Sequence, residues 1–173
     1  MTIKIFGALL ILISGSSIGW IIGTQYLNRV KELRELQLAI NIFDTEISYG
    51  QTILPEALKF TASSLNSSLS HLFEEAAEDL SKSGGRTFSE IWHDKLKQNF
   101  HTNCLLKEDI QILEEWGQQI GNSSLTNQSK ANRLTIKRLE HAEQRAQEIA
   151  DKRVKLVRYS GVLVSLMVII LFY

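Results

Sequence analysis

Four histidines are the first candidates for acid–base or metal chemistry, and their spacing favours neither. His71, His93, His101 and His141 are scattered along the chain. None stands with a cysteine or carboxylate at zinc-ligand spacing, and no HExxH or CxxC occurs, so they read as surface or core-edge residues. Cys104, within NCLL, lacks an evident electropositive partner in sequence and reads as an ordinary half-buried thiol. The phosphate-cradling GxxxxGK[ST] and GxGxxG and the nucleophile turn GxSxG are absent. Glu46 and Tyr49, three apart on one helix, are close enough to share a hydrogen bond holding the helix end. The acidic run Glu74, Glu75, Glu78 and Asp79 is either a solvated face or a docking patch that steers a basic partner. Those four are the candidate partner-binding residues. Catalytic, cofactor-binding and metal-binding residues are expected to be none, and the chain is expected not to be an enzyme.

What positions these residues follows from where the apolar ones lie. The 173-residue chain has a formal net charge of zero, one proline and one cysteine. No basic excess argues for nucleic acid. Scarce proline and glycine favour helices over a β-sandwich. A single cysteine excludes an intramolecular disulfide and fits a reducing compartment. Apolar residues pile up at both ends. Residues 3–22, IKIFGALLILISGSSIGWII, carry Lys4 as their one charge and meet the length of about 20 residues that a membrane span needs. A retained anchor over residues 3–24 is favoured over a cleaved signal, because the apolar run continues through Trp20 and Ile22 without an Ala-x-Ala site. Gly15 and Gly19 form a GxxxG, either incidental to a lone anchor or a helix-packing face. Residues 156–173 form a second span, with Arg158 expected to snorkel toward the headgroups. Lys152, Arg153, Lys155 and Arg158 before this span, with Arg29, Lys31 and Arg34 after the first, place residues 28–157 in the cytoplasm and both termini outside.

Between the spans the apolar period is helical. Leu33, Leu36, Ile40, Phe43 and Ile47 recur at steps of three and four on a helix that continues from the first span, and Gly50 is expected to end it in a left-handed conformation. Pro55 starts a second helix to about Leu65, with Thr52 as its expected cap. A third runs from about Leu69 to Leu80, turning Leu69, Leu72, Phe73, Ala76 and Leu80 inward. Thr87 and Glu90 form a capping box that starts a fourth, with Phe88, Ile91, Trp92, Leu96 and Phe100 facing in. A fifth spans about Leu106 to Ile120, with Ile110, Leu113, Trp116 and Ile120 at helical spacing. From about Thr126 to Tyr159 neither glycine nor proline occurs. Leu134, Ile136, Leu139, Ala142, Ala146, Ile149, Ala150 and Val157 mark the inner face of a long last helix that leads into the second span. The expected fold is all-α, a small helical bundle between an N-terminal and a C-terminal transmembrane helix.

Several local patterns occur together in order. They are Leu33-Arg34-Glu35-Leu36-Gln37, Glu46 to Gly50, Leu54 to Leu58, Ser89-Glu90-Ile91-Trp92, Leu113 to Gly121, Gln128, and a basic approach to a C-terminal span with Gly161. With these the chain resembles the stage III sporulation protein AB family of endospore-forming bacteria, over essentially its whole length. It departs from the family at Ser124, where members usually have Asp, and at Ser165, where they have a second glycine. The family is similar in fold to the cytoplasmic domains of the F-type platform proteins of type II secretion and type IV pilus machines. The resemblance implies a non-catalytic component of the channel-like complex linking mother cell and forespore, in the outer forespore membrane of the mother cell. It further implies contact with other subunits of that complex, including a cytoplasmic secretion-type ATPase, and admits a homo-oligomer. Cofactors and nucleic acid have no part in this reading. The alternatives are a platform or scaffold of another type II secretion or pilus-like machine, or a membrane enzyme with an unrecognised site.

Overall fold

The computed structural model describes residues 2–82, 84–99, 104–120 and 125–172. Helices α1 (Thr2–Ser48), α2 (Leu54–Ser63), α3 (Ser68–Lys82), α4 (Phe88–Asn99), α5 (Lys107–Gln119) and α6 (Leu125–Phe172) make up the fold, and the described residues contain no strand. The expected all-α class holds. α1 has 47 residues and α6 has 48, each without a break, because neither carries a proline. The chain forms two compact units, Lys31–Gln144 and Met1–Val30 with Arg145–Tyr173.

The first unit is the bundle. Leu33, Leu36, Ile40, Phe43 and Ile47 are all buried on α1, as their spacing predicts. Five aromatic side chains from four helices meet in its core. Trp116 of α5 lies edge-on to Phe43 of α1 and Trp92 of α4, with ring centroids 5.3 and 5.0 Å away. Phe73 of α3 sits 5.2 Å from Trp92, and Phe88 stacks on Trp92 at 5.6 Å. Such pairs contribute about 0.5–1.5 kcal/mol each beyond the area they bury. The indole N–H of Trp92 donates to the carbonyl of Leu113 at 2.8 Å. Gly117 admits this ring: a Cβ there would lie 2.2 Å from Trp92 Cδ1.

The helix ends follow local chemistry, with three corrections. The capping box forms: the Thr87 N–H donates to Glu90 Oε2 at 2.9 Å, and the Glu90 N–H to Thr87 Oγ1 at 3.4 Å. Gly85 before it takes φ +118°. At the end of α1, however, the left-handed residue is Gln51 (φ 51°), not Gly50. Glycine is required at 50 because a Cβ would lie 2.7 Å from the Glu46 carbonyl and 2.9 Å from Thr52 Oγ1. Thr52 does not cap α2, whose cap position is Ile53. The Thr52 hydroxyl donates instead to Glu46 Oε2 at 3.0 Å, so Glu46 is held by Thr52 rather than by Tyr49, which is 82% exposed.

Inward residues of the later helices are partly shifted from expectation. Ala77 joins the buried face of α3, whereas Leu80 is half-buried. On α5 the buried set is Asp109, Ile112, Leu113, Trp116 and Gly117, with Ile110 half-buried. Leu134 of α6, expected inside, is 57% exposed, because the bundle-facing positions of α6 are Ala131, Asn132, Thr135, Leu139 and Ala142. Phe100, His101, Gly121, Asn122 and Ser124 lie outside the described residues.

In the second unit the N-terminal part of α1 packs on the C-terminal part of α6 through small residues. A Cβ on Gly161 would lie 2.7 Å from the Gly15 carbonyl and 3.3 Å from Gly19 Cα, and one on Gly15 would overlap Ser165. Ser165 is buried and donates to the Gly161 carbonyl at 2.8 Å. The GxxxG is therefore a packing face, which lets backbones approach where lipid would otherwise fill the gap. Only 11% of the most apolar window of each long helix is buried, unlike the core helix of a water-soluble protein. Ile149, expected inside, is 38% exposed on a flank of α6 beside buried Ala146 and Ala150.

Candidate functional site

The acidic run emerges on α3 because Leu69, Leu72, Phe73 and Ala76 occupy its inner face. Glu74, Glu75 and Glu78 are exposed and Asp79 half-exposed. The structure brings them together but does not leave them bare. Lys95 of α4 bridges two of them, with Nζ 3.0 Å from Asp79 and 3.6 Å from Glu75. Hydrogen bonding to Asp79 is the main reason its pKa is raised above the ordinary lysine value. Lys82 pairs with Glu78 at 3.0 Å one turn along. Two lysines thus answer three of the four carboxylates, Glu75, Asp79 and Glu78, and the negative charge left over is concentrated on Glu74.

A second surface feature joins α4 and α5. Ser89, Glu90, His93, Glu114 and Gln118 line an open depression of about 280 Å³. Its titratable groups serve the fold: Glu90 closes the capping box, and His93 Nδ1 lies 3.1 Å from Glu114. No group of three or more metal-ligating side chains occurs among the described residues. Cys104 is half-buried, and its backbone N–H donates to Glu32 Oε2 at 2.9 Å. Burial raises the pKa of Glu32, the Cys104 hydrogen bond opposes this, and nearby Glu35 and Asp109 add to the rise.

Sequence reading missed a polar relay in the bundle core. The Trp116 indole N–H donates to Asn132 Oδ1 at 2.7 Å, and Asn132 Nδ2 donates to Asp44 Oδ1 at 2.8 Å. Asp44 also accepts from Ser48 at 3.3 Å and Ser129 at 3.4 Å. Further along the same two helices Arg34 and Gln37 of α1 both donate to Glu143 of α6 at 2.7 Å. Burial pushes the Glu143 carboxyl up, but these hydrogen bonds and the Arg34 charge outweigh it and hold the pKa below the usual value. Arg138 likewise hydrogen-bonds Glu115 and lowers its pKa. These contacts register α1 and α5 on α6; none places a nucleophile beside a base.

A helical bundle with two helices long and apolar enough to cross a membrane, and with surface charge rather than a reaction centre as its conspicuous feature, is the class of protein these observations define. The family model for stage III sporulation protein AB matches residues 4–173, and the chain belongs to that family. Stage III sporulation protein AB of Bacillus subtilis (strain 168) is 28% identical over 169 residues, which is 98% of this chain and 98% of that protein. A solved structure of stage III sporulation protein AB (SpoIIIAB) superposes with a TM-score of 0.66 at 28% identity, covering 71% of this chain and 96% of the solved one. The chain is a sporulation protein of the membrane-associated helical type.

Proposed function

We propose that the chain is a non-catalytic membrane component of the channel-like complex between mother cell and forespore, required for endospore formation. Residues 3–24 and 156–173 cross the outer forespore membrane, and residues 28–157 lie in the mother-cell cytoplasm. There the bundle serves as the platform that engages a secretion-type ATPase. The observation that carries this reading is the family match over residues 4–173, joined to two apolar helices that run unbroken into the bundle helices. The groups with shifted pKa, Glu32, Lys95, Glu115 and Glu143, all act in hydrogen bonds that hold helices or loops. That distribution favours a structural component over an enzyme.

The α3 face is the surface proposed to meet the ATPase. Lys95 already neutralises Glu75 and Asp79, so the informative reversals are Glu74→Lys and Glu78→Lys, which leave the Lys95 bridges in place and break only the exposed pair of Glu78 with Lys82. Membranes carrying the full-length chain should retain the ATPase in a pull-down. The double reversal should reduce that retention, with the larger loss at low salt because screening has less left to remove at high salt. Unchanged retention by the double variant would dismiss the face. Absence of retention by wild type would count against the ATPase as partner.

A further inference from the structure

Arg158, expected to reach toward the headgroups, has its guanidinium fixed on an aromatic face. Its guanidinium carbon sits 4.0 Å from the centroid of the Trp20 ring. The stem lies against Gly23, where a Cβ would approach Arg158 Nε to 3.3 Å and Cγ to 3.6 Å. Nε is buried and has no hydrogen-bond partner. No carboxylate among the described residues pairs with the guanidinium; Asp151, the nearest acid before it in sequence, accepts from Gln147 at 2.8 Å instead. The stack is nevertheless on the outside of the helix pair, since Trp20 is 60% exposed. Three residues earlier, on the same side of α6, stands exposed Lys155.

We propose that Trp20, Lys155 and Arg158 form a binding site for the phosphate of an anionic phospholipid at the edge of the α1–α6 pair. The proposal rests on the reading that both helices span a membrane. A cation fixed beside apolar surface is costly unless an anion meets it. The described residues supply none there, and the anion present at the depth of an interfacial tryptophan is a lipid phosphate. A guanidinium matches phosphate with two parallel N–H donors, and the indole face holds the plane of that fork in place. Gly23 contributes by leaving room for the arginine stem. Lys155 adds a second charge one turn nearer the aqueous phase, which is what distinguishes a net-anionic lipid from a zwitterionic one.

The test uses the full-length protein in dodecyl maltoside micelles doped with phosphatidylglycerol or phosphatidylcholine. Thermal denaturation and native mass spectrometry report on the bound lipid. Wild type should be stabilised by phosphatidylglycerol more than by phosphatidylcholine and should retain it as an adduct. Arg158→Gln should weaken phosphatidylglycerol binding about fivefold, the effect of one cation near a lipid surface. Arg158→Lys should fall between, and Arg153→Gln, about 140° round α6, should match wild type. Trp20→Leu keeps the charge and removes the stack, and should also weaken binding; it provides a second reading if Arg158→Gln fails to fold. Equal stabilisation by the two lipids, equal phosphatidylglycerol affinity in wild type and Arg158→Gln, or full competition by inorganic phosphate would each overturn the site. Carbonate extraction separates this from the parent reading. A chain released into the soluble fraction overturns the two-span reading and the site with it, whereas a chain that stays in the pellet without lipid preference overturns the site alone.

Discussion

Asn132 is the residue whose loss should be felt most for its size. It is fully buried, as is Trp116, and it is the middle of the relay, accepting from the Trp116 indole and donating to the Asp44 carboxylate. Asn132→Leu keeps the volume roughly constant, so little of its cost comes from a cavity. The Trp116 N–H, 0% exposed, would be left without an acceptor, at about 1–3 kcal/mol for a buried unsatisfied donor. Asp44 would lose a charge-assisted bond worth about 1.5–3 kcal/mol, partly offset because Ser48 and Ser129 still donate to it. The combined loss is about 3–4 kcal/mol, a large share of the ~5–15 kcal/mol that holds a domain together. With a urea slope of about 1–3 kcal/mol/M, the midpoint should fall by about 2 M. Tryptophan fluorescence of the full-length protein suits the assay, since Trp92 and Trp116 are buried in the bundle. A double-mutant cycle isolates the cause. In a Trp116→Phe background the donor is already gone, so Asn132→Leu should cost at least 1 kcal/mol less than in wild type. A loss below about 1 kcal/mol, or strict additivity with Trp116→Phe, would refute the relay as a source of stability.

Two further outcomes follow from the bundle. The raised pKa of Glu32 means that its contribution to stability is greatest below the ordinary glutamate value and is lost as pH rises through the folded value. Glu32→Gln, whose carbonyl still accepts the Cys104 N–H, should therefore raise Tm near pH 7, and the gain should close toward pH 4; a lower Tm at neutral pH would contradict the assigned cause. Gly117→Ala would place a Cβ 2.2 Å from Trp92 Cδ1 and should cost about 1–3 kcal/mol by overpacking, whereas Gly84→Ala, with nothing within 4 Å, should leave the urea midpoint nearly unchanged. Equal effects of the two would show that the α4–α5 contact is looser than its geometry implies.

What could be read from the sequence was whatever is decided within about four residues. The α1 face from Leu33 to Ile47, the start of α2 at Pro55 and the Thr87–Glu90 capping box depend on local period and local hydrogen bonds, and all are present. The end of α1 was half legible. A glycine was needed there, but the left-handed turn passed to Gln51 because Gly50 lies against Glu46 and Thr52. The Asn132 relay was illegible, since its partner Asp44 is 88 residues away and a lone asparagine in a polar helix looks like surface.

The misplacement of Leu134 has a more general cause. Hydropathy weights large side chains, yet α6 buries Ala131, Ala142, Ala146 and Ala150 and leaves Leu134 and Ile149 exposed. Where two long helices approach closely, the space between backbones admits only small residues, and bulky ones are displaced to the flanks. The same rule turns Gly15, Gly19, Gly161 and Ser165 into a contact face and not a run of weak helix formers. It also explains how Ser165 is accommodated: it packs onto Gly15, where a Cβ would fall 1.8 Å from Ser165 Oγ, and its hydroxyl donates to the Gly161 carbonyl at 2.8 Å. The acidic face has the complementary problem. Its four carboxylates are contiguous in α3, but Lys95, which answers two of them, arrives from α4. Contiguity along α3 therefore overstates the net charge of this face, because Lys82 and Lys95 answer Glu78, Glu75 and Asp79.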